Sequence, residues 1–260
     1  MNLFPTATAK HFWRFRSILV LALFTLIGLA SSAHAWTLDD AAQLARQRAQ
    51  TPYQKAPALP HELAALSYDQ LRDIRFKEDK SLWRTDNLPY EARFFPVGRQ
   101  FDSVRIHEVS ASGSKLLPYD ASDFNFGKNR LHPSSWGDVG YAGFRVYTAL
   151  NSPNRMDELI VFQGASYFRA LGAGQRYGLS ARGLAVNTTG AQKEEFPRFT
   201  DFWLVKPAPG ASELTIFALL DSPHMTGAYR FDIRPGEQTV TQVHARIFMR
   251  AGVKTPLETL

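Results

Sequence analysis

Cysteine is absent from the 260-residue sequence. That excludes disulfides, cysteine nucleophiles and thiolate metal sites, so a packed core has to hold the fold together. Charge of one sign is also scarce. Lys and Arg number 30 against 24 Asp and Glu, a net +6, and setting aside Lys10, Arg14 and Arg16 leaves 27 against 24, or +3. No basic run is interleaved with aromatics, which argues against a nucleic-acid partner. Beyond residue 35, His61, His107, His132, His224 and His244 are scattered with no pair at helical spacing, so neither zinc nor any other metal or cofactor is expected. Gly172-Ala173-Gly174 with Gly178 lacks the dinucleotide-binding spacing. Ser180 and Ser222 lack the G-x-S-x-G elbow of serine hydrolases. There is no internal repeat and no low-complexity tract.

Long apolar runs are confined to the amino end. Ile18–Ala30 is apolar apart from Thr25 and Gly28, follows Lys10, Arg14 and Arg16, and precedes Ala33-His34-Ala35. This is the layout of an export signal spanning residues 1–35, cleaved after Ala35. The apolar stretch falls short of the roughly 20 residues a spanning helix needs. Arg14 and Arg16 are separated by Phe15, so the twin-arginine signature is missing and a Sec-type route is expected. The remaining 225 residues are enough for one large domain.

Residues 36–74 carry the helical signals. Thr37 with Asp40 and Ser67 with Gln70 are capping-box candidates. Leu38, Ala42, Ala45 and Ala49 share one face of a helix over Leu38–Gln50, and a short second helix is expected to run to about Ile74. Pro52, Pro57 and Pro60 mark an irregular connector between them. Residues 75–260 read as β. The expected strands are Arg75–Trp83, Tyr90–Val97, Ser103–Ala111, Ala142–Leu150, Asp157–Leu171, Arg176–Asn187, Phe199–Lys206, Glu213–Leu220, Ala228–Arg234 and Gln238–Arg250. Val243, Ala245, Ile247 and Met249 alternate with His244, Arg246, Phe248 and Arg250, a period of two that predicts one buried face. Glu213–Leu220 is apolar on both faces, as in a strand held between two layers. Many short strands without intervening helices predict a mainly β fold, a large antiparallel β-sandwich with short amino-terminal helices.

Between Phe162 and Tyr229 the sequence carries F-Q-G-A-S-Y-F-R (162–169), Y-G-L-S-A-R-G-L-A (177–185), E-E-F-P-R-F (194–199), F-W (202–203), A-L-L-D-S-P (218–223) and T-G-A-Y (226–229). That ordered set resembles the periplasmic glucan biosynthesis proteins of the OpgG/MdoG and OpgD family, with weaker similarity from about Trp36 to Arg250. The Sec-like leader tilts the resemblance towards the G-type. It implies a periplasmic location and a galactose-mutarotase-like β-sandwich. It also implies a β-glucan oligosaccharide or polysaccharide as ligand and a role in binding and remodelling β-1,2-linked glucose backbones. An inner-membrane glucan synthase and a homodimer are the further partner expectations. Family members are about twice this length, so the resemblance makes residues 75–260 the amino-terminal, truncated part of the glucan-binding domain. It places the catalytic acid beyond residue 260, which leaves catalytic residues here unknown. The alternatives are a non-catalytic carbohydrate-binding or scaffold component, or an inactive truncated chain.

Glycoside hydrolysis ordinarily uses two carboxyl groups, and Asp138, Glu194, Glu195, Asp201 and Asp221 are the candidates. Asp221 ends an apolar strand, where burial would raise its pKa; the alternative is a turn cap or a pairing with an arginine such as Arg182. Glu194 and Glu195 are adjacent and point apart, which suits a solvated pair, or one glutamate bridging to Arg198 or Arg169. Sugar binding is better supported than cleavage. Tyr167, Arg169, Tyr177 and Arg182, with Asp221, are the expected carbohydrate-binding residues: the first four have the types that stack on a sugar ring and bind its hydroxyls, and in a strand Tyr167 and Arg169 share a face. Trp136 and Trp203 are further stacking candidates. Against this, aromatics mostly fill cores, and buried Tyr or Trp needs only a hydrogen-bond partner.

Overall fold

The computed structural model describes Met1 and residues 36–189 and 193–253. The export signal expected over residues 1–35 lies outside the described residues, apart from Met1. Three helices come first: α1 (Leu38–Ala49), α2 (His61–Ala64) and α3 (Tyr68–Asp73). Thr37 caps α1 and Ser67 caps α3, each with the reciprocal capping box expected of its sequence. The strands then follow in chain order: β1 (Arg75–Phe76), β2 (Tyr90–Phe94), β3 (Arg105–Ser110), β4 (Gly113–Leu117), β5 (Phe124–Asn125), β6 (Gly143–Ser152), β7 (Arg155–Gln163), β8 (Tyr167–Ala170), β9 (Ala181–Arg182), β10 (Arg198–Val205), β11 (Leu214–Asp221), β12 (Met225–Arg234) and β13 (Val240–Met249).

Two main sheets form a β-sandwich. One has the order β13-β12-β11-β10-β3-β4, the other β2-β6-β7-β8-β9, and β1 pairs with β5 in a small ribbon. Their inner faces meet in an aromatic core. Phe162 of β7 lies 5.4 Å from Phe202 of β10 and 5.0 Å from Phe231 of β12, and Phe144 of β6 lies 4.9 Å from Phe202. The offset and edge-on ring contacts fill space without leaving a polar group unpaired.

The six-stranded sheet is covered on its other face as well. Ala41, Ala42, Ala45 and Ala49 of α1 are buried, and Ala41, Ala42 and Ala45 pack with Trp203, Phe217, Leu219 and Ala228. Small side chains let the helix approach the sheet closely. Leu214, Ile216, Ala218 and Leu220 of β11 face the sandwich core, while Phe217 and Leu219 face α1. That accounts for a strand apolar on both sides.

Several strand expectations are corrected. Asp157–Leu171 is two strands, because Gly164 (φ 76°) and Ala165 (φ 43°) turn the chain back on itself. Of the expected 176–187 strand, Ala181–Arg182 pairs with β8 and Val186 makes an isolated bridge to Glu195, and Arg75–Trp83 becomes a two-residue strand and a 3-10 turn. The pairings are antiparallel except β3 with β10, which run parallel. On β13, Val243 and Ala245 stay exposed, because that strand is at the sheet edge and nothing described packs over them.

Candidate functional site

Alternation along the five-stranded sheet sends Phe144 and Val146 into the core and leaves Arg145 and Tyr147 on the solvent side. Register then builds a cross-strand row. Arg93 of β2 is opposite Arg145 of β6, Arg145 is opposite Val161 of β7, and Val161 is opposite Arg169 of β8. Like charges placed directly opposite repel, so each inner arginine needs compensation. Arg93 Nη2 donates to Glu78 at 2.6 Å, and Arg145 Nη1 donates to Glu158 at 2.9 Å. Both guanidiniums also lie over aromatic rings, Arg93 at 4.0 Å from Tyr147 and Arg145 at 4.4 Å from Phe95.

The expected residues Tyr167, Arg169, Tyr177 and Arg182 all lie at the β8–β9 end of this face. Tyr167 and Arg182 are cross-strand partners. The Arg182 guanidinium sits 5.6 Å from the Tyr167 ring and 4.5 Å from Phe196. Its Nη1 donates to Glu194 at 2.5 Å and its Nη2 to the Glu195 carbonyl at 2.7 Å. Arg169 stacks 4.3 Å over Tyr177. Tyr167 and Arg169 also line an open cavity of ≈ 420 Å³ with Gln100, Phe101, Gln163 and Ser180. Ring faces, planar guanidiniums and amides converging on one surface suit a polyhydroxylated ring, whose apolar face stacks while its hydroxyls accept and donate at the rim.

Asp221 is elsewhere. It ends β11 on the other sheet, 4% exposed, and its carboxylate is paired with Arg250 rather than with Arg182. Burial pushes this carboxyl up, against the pull of Arg250 and Arg48. Asp201 is buried nearby and accepts from Arg105 Nε at 2.7 Å and from the Thr200 hydroxyl at 2.7 Å. Burial pushes Asp201 up too, but His107 and Arg105 beside it more than offset this, holding it well below the usual carboxylate range. Glu194 bridges to Arg182, and Glu195 pairs with His224 Nδ1. Asp138 accepts from the Tyr119 and Gly140 amides in a loop. Trp136 and Trp203 are buried: Trp136 donates to Glu62 at 2.8 Å, and Trp203 is stacked between Trp36 and His107.

Sequence reasoning did not single out Arg93, Arg145, Tyr147 or Phe95. The alternation of Arg145 and Tyr147 with Phe144 and Val146 was the available signal. The lateral row was not readable, because it depends on strand order and register.

The layered architecture places the chain among β-sandwich proteins. Residues 36–256 match the family model described as periplasmic glucan biosynthesis protein, MdoG, and the chain belongs to that family. It is 51% identical over 232 residues to the glucans biosynthesis protein G of Ralstonia nicotianae, covering 88% of this chain and 46% of that protein. The glucans biosynthesis protein G of Pseudomonas syringae pv. tomato is 44% identical over 241 residues (91% of this chain, 37% of the relative). That of Vibrio cholerae is 49% identical over 215 residues (82% and 39%). The chain spans less than half the length of these relatives.

Proposed function

We propose that this chain serves periplasmic glucan biosynthesis by binding a β-linked glucose oligomer on the solvent face of its five-stranded sheet. The observation that carries the reading is the Arg–aromatic surface formed by Tyr167, Arg169, Tyr177 and Arg182 beside the ≈ 420 Å³ cavity. Family membership supplies the ligand class, and the relatives' name, glucans biosynthesis protein G, agrees with it. The carboxylates on this face are committed: Glu91 to Arg84, Glu158 to Arg145 and Glu194 to Arg182. This favours binding over proton transfer by these residues. Remodelling of β-1,2-linked backbones then belongs to the whole protein as the family builds it. The inner-membrane synthase and a second copy of the chain are its proposed partners. Export with cleavage after Ala35 makes Trp36 the first mature residue, leaving 36–74 as a helical segment and the rest as glucan-binding sandwich. Trp36 stacks 4.6 Å from Trp203, which suits a mature end docked on the fold.

Calorimetry with a β-1,2-glucan oligosaccharide tests the reading. Arg169→Gln removes an exposed charged donor, so it should weaken binding roughly tenfold. Tyr167→Ala should cost roughly threefold to tenfold through lost stacking. A cooperatively melting wild-type chain that shows no saturable heat with the oligosaccharide would refute the proposal.

A further inference from the structure

At one end of the six-stranded sheet, a second cavity of ≈ 330 Å³ lies between the carboxyl end of α1, the 51–57 connector and the starts of β3 and β10. Four cationic side chains, Arg48, Lys55, Arg105 and Arg198, line it together with one carboxylate, Asp221. The buried carboxylates nearby are already matched. Asp221 is held by Arg250, which is 6% exposed, and Asp201 by Arg105 and Thr200.

The surplus is therefore positive. Arg48 donates to the Thr200 hydroxyl at 2.7 Å, yet its nearest approaches to Asp201 and Asp221 are 3.6 Å and 3.9 Å, beyond hydrogen bonding. Among the described residues Arg198 hydrogen-bonds only the Ser103 carbonyl, at 3.3 Å, and its buried Nε has no hydrogen-bond partner. Its closest carboxylate, Asp102, is 3.8 Å away and 61% exposed. Arg198 lines the cavity with no carboxylate among the described residues hydrogen-bonded to it, so an anion there would give its guanidinium a charged partner.

From this arrangement we infer a binding site for a phosphate group, either free or esterified to a small sugar. Three cations that, among the described residues, have no carboxylate within hydrogen-bonding distance approach from three separate segments: Arg48 from α1, Lys55 from the connector and Arg198 from β10. A tetrahedral oxyanion accepts from several directions at once, whereas a planar carboxylate is satisfied by one guanidinium fork. The cavity exceeds what a carboxylate needs and leaves room beside the phosphate. Nothing in this inference depends on the glucan reading, and phosphate binding is measured with no glucan present.

Titration calorimetry of the 260-residue chain with inorganic phosphate, glucose 1-phosphate and glucose, at matched ionic strength, tests it. Saturable phosphate binding is expected, weakening as sodium chloride screens the cations. Arg198→Gln should reduce the affinity roughly tenfold, the loss of one charge-assisted donor. Lys55 is exposed, so Lys55→Gln should leave the fold intact and reduce affinity roughly threefold, as a solvent-screened charge does. Glucose 1-phosphate binding more tightly than inorganic phosphate identifies the ester as the ligand; equal affinities identify the free ion. Absence of saturable phosphate binding by the wild-type chain, or unchanged affinity in both variants, overturns the site.

Discussion

At the scale of single residues, Glu62 shows how one polar group ties distant segments together. Its carboxylate accepts from the His132 amide at 3.1 Å, from His132 Nδ1 at 2.7 Å and from Trp136 Nε1 at 2.8 Å. The His132 and Trp136 hydrogen bonds lower its pKa from 4.5 to about 2. A carboxylate whose folded pKa lies below its unfolded value adds stability that is fully present above the unfolded pKa. That stability is lost as pH falls towards the folded value. Melting temperatures should therefore drop between pH 5 and pH 2, and Glu62→Gln should flatten part of that decline. An identical acid profile in wild type and variant would show that Glu62 contributes nothing. The capping partners Thr37 with Asp40 and Ser67 with Gln70 were legible at this scale, since a cap needs only local spacing. The partners of Glu62, some seventy residues away in sequence, were not.

At the scale of elements, α1 makes the six-stranded sheet an internal layer. Its alanines let it approach, and the Thr226 hydroxyl of β12 donates to the Ala45 carbonyl at 2.7 Å. Ala45 is fully buried, so Ala45→Leu would overpack the seam. The expected cost is about 1–3 kcal/mol, read as a lower midpoint in urea with unchanged slope. A variant as stable as wild type would mean that α1 packs loosely. Both halves of this interface could be read in advance: the alanine face of Leu38–Ala49 and the two-sided apolarity of β11 each imply a covering layer. That they cover each other could not. Likewise, the run from 157 to 171 has continuous strand character, and only backbone dihedrals at Gly164 and Ala165 reveal the reversal that sets Tyr167 and Arg169 on the solvent face of the five-stranded sheet.

For the whole molecule, the open side of β13 stands out. Val240, Val243 and Met249 are exposed, at 48%, 40% and 37%, along a strand that has one neighbour among the described residues. An unpaired edge with apolar side chains invites pairing with another chain. Light scattering after size exclusion should show self-association of the chain, and Val243→Lys should shift it towards monomer. A monomeric wild-type chain at high concentration would count against this. The alternation in 243–250 correctly announced a strand, but not its place in the sheet. Burial of its apolar face requires an opposing layer, and alternation says nothing about whether one is there.

The sequence by itself determined the β character, the capped helices and the family, because these rest on local periodicity, cap spacing and ordered motifs. The tertiary structure alone decided which residues share a surface. Strand order and register brought Arg93, Arg145 and Arg169 into one row and put Arg198 opposite Asp221. Such neighbours are set by hydrogen bonding between segments far apart in the chain, and spacing along one strand carries no record of it.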